Sequence, residues 1–212
     1  MNHLDQLTTL RNTYYVLRHG ESESNVLDIA VGDPKNGCTA FPLTKHGRMQ
    51  VRIAAEKSHL PDNTIILHSP FLRTTQTAQI AAETLGTTDL KLCNDLRERF
   101  LGDFELKNHA WQHYEAMWEA DLQNPDHHEQ GVESVHEILD RMTRCVAECE
   151  QRYDGCAVLL VSHGDPISIL QAAMEGVLPS RHHLDIVFPE RGELRALKRL
   201  YKTGGNRGTI LE

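Results

Sequence analysis

Three short apolar runs, each followed at once by polar residues and a turn or helix start, most constrain how this chain can fold. The runs cover residues 14–17, 64–67 and 157–161. Continuous apolar runs of this length, rich in β-branched residues, are typical of parallel strands that are buried on both faces. Because helical patterns separate the runs, we predict an α/β fold: three-layer α/β/α with a mostly parallel central sheet flanked by helices.

The polar segments after these runs contain the candidate functional residues. Arg18 and His19 follow the first run, Arg73 lies shortly beyond the second, and His163 follows the third. Ligands bind beyond the carboxyl ends of parallel strands, so these side chains are expected to converge. Their positive charge and hydrogen-bond donors suit a phosphate group. The alternative interpretation is structural, with histidines that pack at strand ends and arginines that are surface charges.

Several residues have the side chains that begin helices, either an oxygen that accepts from the first turn or a proline that fits the first helical position. The predicted helix starts are Thr44, Ser69 with Pro70, the capping box of Ser134 with Glu137, and Asp165 with Pro166. Further strands are predicted at residues 89–93 and, at one edge of the sheet, at residues 184–188 and 193–198.

Two segments with irregular or variable sequence patterns are expected to determine substrate specificity. A turn-rich loop covers residues 33–41, and a lid-like insertion at about residues 100–131 contains Trp111, Tyr114 and Trp118 at the spacing of one helical face. The aromatic residues are expected either to pack in the core or to form a wall of a substrate pocket. The tail from about residue 204 is predicted to be flexible.

Length and charge limit the classes of partner. The 212 residues suit a single domain over residues 1–212, and the formal net charge of −8 disfavours binding to nucleic acid or to an anionic membrane. The N-terminus lacks the basic flank and apolar core of a signal peptide, and no apolar run approaches the ~18 residues of a membrane span. We therefore expect a cytoplasmic protein with no nucleic-acid or membrane partner.

Neither the cysteines nor the histidines form a convincing metal site. The five cysteines contain no CxxC pair and are expected to be reduced thiols; Cys145 and Cys149, one helical turn apart, are expected to pack as small apolar groups. The adjacent histidine pairs at 127–128 and 182–183 have side chains that diverge in most backbone conformations. We expect no metal and no cofactor.

Four motifs, taken in order, resemble the histidine phosphatase superfamily, which includes the cofactor-dependent phosphoglycerate mutases and the fructose-2,6-bisphosphatases. The motifs are Arg18-His19-Gly20-Glu21-Ser22 with Asn25, Ser69-Pro70-Phe71-Leu72-Arg73, Leu96-Arg97-Glu98, and Ser162-His163-Gly164. The block Pro42-Leu43-Thr44-x-x-Gly47 is also similar, and the resemblance spans roughly residues 13–174. It implies a phosphoglycerate mutase-like fold.

The resemblance also implies a role for each motif residue. His19 would be the nucleophile that forms a transient phosphohistidine, while Arg18, Arg73 and His163 would hold the phosphoryl oxygens. Asn25, Ser22 and Gly164 would complete the substrate-binding set.

Glu98 would be the proton donor, since its place in Leu96-x-Glu98 fits the family spacing better than the alternatives Glu105 and Asp103 do. The implied chemistry requires no metal.

Three functions remain open at this level: a phosphatase, a mutase-type phosphotransferase, and a catalytically silent phosphate-binding module. Between residues 108 and 140 the chain has no Lys or Arg and many acidic residues. This departs from the basic lid of a mutase and favours hydrolysis. The expected substrate is a small phosphorylated metabolite. Homodimers occur in the family, so a homodimer is possible, although the sequence identifies no interface.

Overall fold

A five-stranded mixed sheet forms the centre of the computed structural model, which describes residues 1–200. The strands are β1 (Thr13–Arg18), β2 (Ile65–His68), β3 (Leu90–Leu92), β4 (Ala157–Ser162) and β5 (Leu194–Ala196). Their order is β3-β2-β4-β1-β5, with β1 to β4 parallel and β5 antiparallel to β1. This confirms the predicted α/β fold, including the strands at residues 89–93 and 193–198. The predicted tail from about residue 204 lies outside the described residues.

Helices cover both faces of the sheet and give the predicted three layers. They are α1 (Glu23–Val26), α2 (Pro34–Gly37), α3 (Lys45–Ser58), α4 (Leu72–Leu85), α5 (Ala110–Gln123), α6 (Val135–Arg152), α7 (Gly164–Glu175) and α8 (His182–Asp185). Helices α3 and α4 pack on one face through residues such as Val51 and Ala81, and α6 and α7 pack on the other through residues such as Met142 and Leu170. The central strands are therefore buried on both faces, which explains their continuous apolar runs.

One predicted strand is wrong. Residues 184–188 do not join the sheet, because β5 already pairs with the free edge of β1. The short helix α8 occupies the first part of this segment. Phe188 packs instead against the guanidinium of Arg18, 5.1 Å from the ring centre, and against Trp118. The segment thus contributes to the site and not to the sheet.

Two of the predicted helix starts are confirmed and two are wrong. Thr44 accepts a hydrogen bond from the Gly47 amide at 2.9 Å, and Ser134 begins α6 with the expected capping box. Helix α4, however, begins at Leu72 and α7 begins at Gly164, so Ser69 and Asp165 do not cap them. Both side chains are engaged by distant partners, as described below, and those tertiary hydrogen bonds override the local capping preference.

The cysteines of the described structure are free thiols. Cys145 and Cys149 on α6 are buried in the apolar layer between α6 and the sheet, as expected for small apolar groups. Within residues 1–200, no helix combines the length and apolar character that a membrane crossing requires.

Candidate active site

The first polar segment is fixed at the carboxyl end of β1. Arg18 pairs in register with Ser162 of β4, and the His19 amide donates to the carbonyl of Ser162 at 3.1 Å. Gly20 then passes close to the first turn of α3, where a Cβ would lie only 2.3 Å from the carbonyl oxygen of Gly47. Only glycine allows this approach. The close contact holds His19 in place at the sheet edge.

The hydrogen bonds of His19 determine which ring nitrogen is unprotonated. Its Nδ1 lies 2.7 Å from the carbonyl oxygen of Gly20, and its Nε2 lies 3.1 Å from Nε of Arg73. A guanidinium can only donate, so Nε2 accepts and the proton lies on Nδ1. Burial, together with the charges of Arg73 and Arg18, holds the pKa of His19 well below its usual value. The ring is therefore neutral, with a lone pair on Nε2.

Two arginines, the buried Arg73 and the half-buried Arg18, line the same cavity and have unused donors. Arg73 donates through Nη2 to the carbonyl of Val31 at 3.0 Å, and Arg18 donates through Nη1 to the carbonyl of Pro189 at 2.7 Å. Among the described residues, Nη1 of Arg73 and Nε of Arg18 are buried and have no hydrogen-bond partner. Burial lowers the pKa of Arg18 to about 10, which still leaves it charged at neutral pH. Unpaired buried donors of this kind suit an anion.

His163 lies directly behind His19, with the two ring centres 5.3 Å apart. Its Nδ1 accepts from Nε of Arg73 at 3.3 Å, and its Nε2 is 2.8 Å from Oγ of Ser69. This contact is the tertiary partner that draws Ser69 away from the capping position. His163 is fully buried and does not line the cavity. Its Nδ1 faces Arg73, which separates it from the cavity.

Glu98, the predicted proton donor, lines the cavity together with Asp28 and Asp165. It is 5% exposed, and its Oε2 lies 3.7 Å from Nη2 of Arg73 and 3.6 Å from Nδ1 of His163. Burial raises the pKa of Glu98 to about 7, although Arg73 opposes the shift. Glu105 instead accepts from the amides of Gly32 and Asp33, outside the cavity. Of the two carboxylates, only Glu98 lines the cavity.

The cavity has a volume of about 100 Å³, and most of the predicted site residues line it. Arg18, His19, Asn25, Arg73, Glu98 and Gly164 all do so. Gly164 begins α7, and the N-terminus of a helix of this length favours an anion.

Like His163, Ser22 is a predicted substrate ligand that does not line the cavity. Its hydroxyl is fully buried against Ser24 and the side-chain oxygen of Asn25, in the capping box of α1. Ser22 therefore orients Asn25 and does not face the substrate.

The walls of the cavity include residues that the motifs did not indicate. Trp111 and Tyr114 of α5 line it, as does Phe188, whereas Trp118 is buried beneath them. The aromatic residues of α5 thus divide between pocket wall and core. The loop at residues 33–41, expected to be a specificity element, does not line the cavity; residues 28–31 do so instead. No sequence signal indicated Phe188, because its segment was predicted to be a strand.

A buried ionic network connects α5 to the segment of Glu98. Arg99 is fully buried and makes paired hydrogen bonds of 2.8 Å to both carboxylate oxygens of Asp121. It also donates to Asp165 at 3.2 Å, and Asp165 accepts from the indole of Trp118 at 2.8 Å. These are the distant partners that occupy Asp165 at the start of α7. The network fixes the helix that forms one wall of the cavity.

Replacing Asp121 with asparagine is expected to reduce the free energy of unfolding by about 3 kcal/mol, because it leaves the buried charge of Arg99 with only Asp165 as a counterion. Urea denaturation followed by circular dichroism measures the change. The matched control is Glu148→Ala, which removes an exposed ion pair with Arg152 and should cost no more than about 0.5 kcal/mol. Equal effects of the two substitutions would contradict the structural importance of the network.

Comparison with known proteins identifies the family. Residues 14–190 match the family model described as histidine phosphatase superfamily (branch 1). The chain belongs to this superfamily. A relative named Probable phosphoglycerate mutase GpmB, from Salmonella paratyphi C, is 31% identical over 166 residues, which cover 77% of this chain and 74% of that protein. The protein of the same name from Klebsiella pneumoniae is 32% identical over the same shares.

Solved structures similar to this member of the superfamily include phosphatases. The structure of mycobacterial glucosyl-3-phosphoglycerate phosphatase Rv2419c in complex with VO3 is 25% identical, with a TM-score of 0.70, covering 87% of this chain and 90% of that one. Alpha-ribazole phosphatase from Shigella flexneri is 22% identical, with a TM-score of 0.65 and coverage of 87% and 89%. These similarities confirm the expected fold. Both a mutase name and phosphatase names therefore occur among the relatives.

Proposed function

We propose that this protein is a phosphatase that hydrolyses small phosphomonoesters through a phosphohistidine on Nε2 of His19. The observation that supports this most strongly is the neutral His19 ring, whose Nε2 lone pair lies beside unpaired donors of Arg18 and Arg73. A nucleophile next to unused cationic donors matches the needs of phosphoryl transfer.

In the first step, the phosphate group of the substrate replaces His19 as the partner of Arg73. Nε2 of His19 attacks phosphorus, and the bond from phosphorus to the ester oxygen breaks. Arg18 and Arg73 stabilise the three equatorial oxygens, and Asn25 and the start of α7 face the same volume. Once Arg73 turns to the phosphate, Nδ1 of His163 takes up a proton from the solvent and donates to a phosphoryl oxygen, while Nε2–H donates to Oγ of Ser69.

Glu98 donates a proton in the first step and accepts one in the second. With a pKa of about 7, a large fraction of its carboxyl groups is protonated near neutral pH and can donate to the departing alkoxide. The carboxylate that results then accepts a proton from the water that attacks phosphorus. The second displacement releases inorganic phosphate and returns His19 to the neutral state. The two half-reactions balance without an external acid.

Hydrolysis is favoured over mutase chemistry by the wall that α5 forms. That helix and its flanking residues, from 108 to 140, contain no Lys or Arg that could retain a second phosphate. The only cations that line the cavity, among residues 1–200, are Arg18, Arg73 and Arg191. Beyond the two arginines that hold the phosphate to be cleaved, this leaves a single exposed cation at the rim, so water that enters competes well with a phosphorylated acceptor for phospho-His19.

A comparison of two products separates the reactions. With 3-phosphoglycerate as substrate, the purified protein is expected to release inorganic phosphate faster than it forms 2-phosphoglycerate, both followed by phosphorus NMR. The matched control is the variant Arg73→Met, which is expected to lower both rates by about 10²-fold or more. Faster isomerisation than phosphate release would support the mutase function instead, the one that the curated relatives' name suggests.

A further inference from the structure

Arg191 differs from the other cations that could contact a second group on the substrate. Six basic residues lie outside the predicted phosphate-binding set but close to its motifs or in the last third of the chain: Lys35, Arg97, Arg99, Lys107, Arg181 and Arg191. Only Arg191 lines the cavity. Arg97 pairs with Glu133, Arg99 lies in the buried network, and Arg181 pairs with Asp185 on the surface.

The backbone around Arg191 is anchored to the catalytic strand on both sides. Before it, the carbonyl of Pro189 accepts from Nη1 of Arg18 at 2.7 Å. After it, the amide of Gly192 donates to the carbonyls of Arg18 and His19 at 3.2 and 3.1 Å. These hydrogen bonds hold the backbone of Arg191 at a defined distance from the nucleophile, so the segment is not a free loop.

The Arg191 side chain is exposed and makes no ion pair or side-chain hydrogen bond with any residue in the range 1–200. The residue lines the same cavity as Arg18 and His19, and its charge lowers the pKa of both. Two carboxylates of this region are Asp28, which also lines the cavity and is 3.4 Å from Nδ1 of His109, and the neighbouring Glu190. Neither forms an ion pair with Arg191.

We propose that Arg191 is a binding site for a second anionic group of the substrate, a carboxylate or phosphate a few bonds from the phosphate that is cleaved. The inference rests on the proposed function and narrows its substrate class to small phosphomonoesters with two acidic groups. The planar guanidinium matches the paired oxygens of either group. Arg18 and Arg73 take the phosphate to be cleaved, and Arg191 remains available at the rim for the other group.

Matched substrate pairs test this site. 3-Phosphoglycerate and glycerol 3-phosphate differ only by a carboxylate in place of a hydroxymethyl group, and 2-phosphoglycolate and ethylene glycol monophosphate form a second pair with a shorter spacing. The measured quantity is the ratio of kcat/KM within each pair. In the wild-type protein the acidic member of at least one pair is expected to be preferred. In Arg191→Ala that ratio is expected to fall about tenfold, mainly through KM, with a larger fall in Arg191→Glu.

The control variant is Arg181→Ala, which removes an exposed arginine that pairs with Asp185 and does not line the cavity. It should leave both ratios at their wild-type values. Phenyl phosphate, which has no second anionic group, reports on the proposed function separately. If phenyl phosphate is hydrolysed but Arg191→Ala leaves both ratios unchanged, the second-anion site is wrong and the phosphatase function stands. If neither phenyl phosphate nor any pair is hydrolysed, the proposed function fails and the inference fails with it.

Discussion

Replacing His19 with alanine is expected to lower kcat for para-nitrophenyl phosphate by at least about 10³-fold. The imidazole is neutral, its Nδ1–H donates to the carbonyl of Gly20, its Nε2 accepts from Nε of Arg73, and the residue lines the cavity. Alanine removes the histidine that forms the covalent intermediate in the proposed mechanism, so the arginines could bind the phosphate but the phosphoryl group would not be transferred to the protein.

The matched control is His46→Ala. His46 is an exposed histidine on α3, outside the cavity, and its removal should leave kcat within about twofold of the wild-type value. Both variants are first checked for an unchanged circular dichroism spectrum and binding of inorganic phosphate. Turnover by His19→Ala at a rate close to wild type would refute the covalent mechanism, because no other histidine lines the cavity among the described residues.

Replacing Glu98 with glutamine is expected to lower kcat/KM for an alkyl phosphate by about 10²- to 10³-fold at pH 6 to 7. Glutamine keeps the shape of the side chain but supplies no acidic proton to a poor leaving group. The carboxylate that would activate water is also lost. The control is Glu105→Gln. The carboxylate of Glu105 accepts from the amides of Gly32 and Asp33 and lies outside the cavity.

The raised pKa of Glu98 also determines the direction in which activity changes with pH. Burial raises the pKa of Glu98 to about 7, so the acid form predominates below that pH and is lost above it. Because the first step needs the acid form, kcat/KM is expected to fall as the pH rises through about 7.

Dividing the wild-type profile by that of Glu98→Gln removes the ionisation of the substrate, which is common to both. A ratio that does not change with pH would show that Glu98 is not the proton donor.

Most of the site was predictable because its residues lie at the ends of buried strands. The runs that form β1 and β4 are apolar on both faces, so their position in the sheet and the polar residues that follow them could be inferred from pattern alone. Arg73 was harder, since it reaches the strand edge from the first turn of α4. Its placement followed from the direction in which helical side chains lean.

The predictions failed where a distant partner outweighs a local preference. Ser69 and Asp165 have the side chains of helix caps, yet one contacts His163 and the other contacts Arg99 and Trp118. Such contacts join segments far apart in the chain, and no local pattern encodes them. Phe188 belongs to the same class, because its role depends on Arg18 lying beneath it.

The most direct test of the central claim is to trap the intermediate on His19. Para-nitrophenyl phosphate has a leaving group that needs no proton, so Glu98→Gln should still be phosphorylated but should lack the base that activates water for release. Mixing this variant with phosphorus-32-labelled substrate and quenching in alkali, in which phosphohistidine survives, is expected to leave label on the peptide that contains His19. The double variant with His19→Ala should retain none. Turnover without label on His19, or label on another residue, would contradict the proposed mechanism.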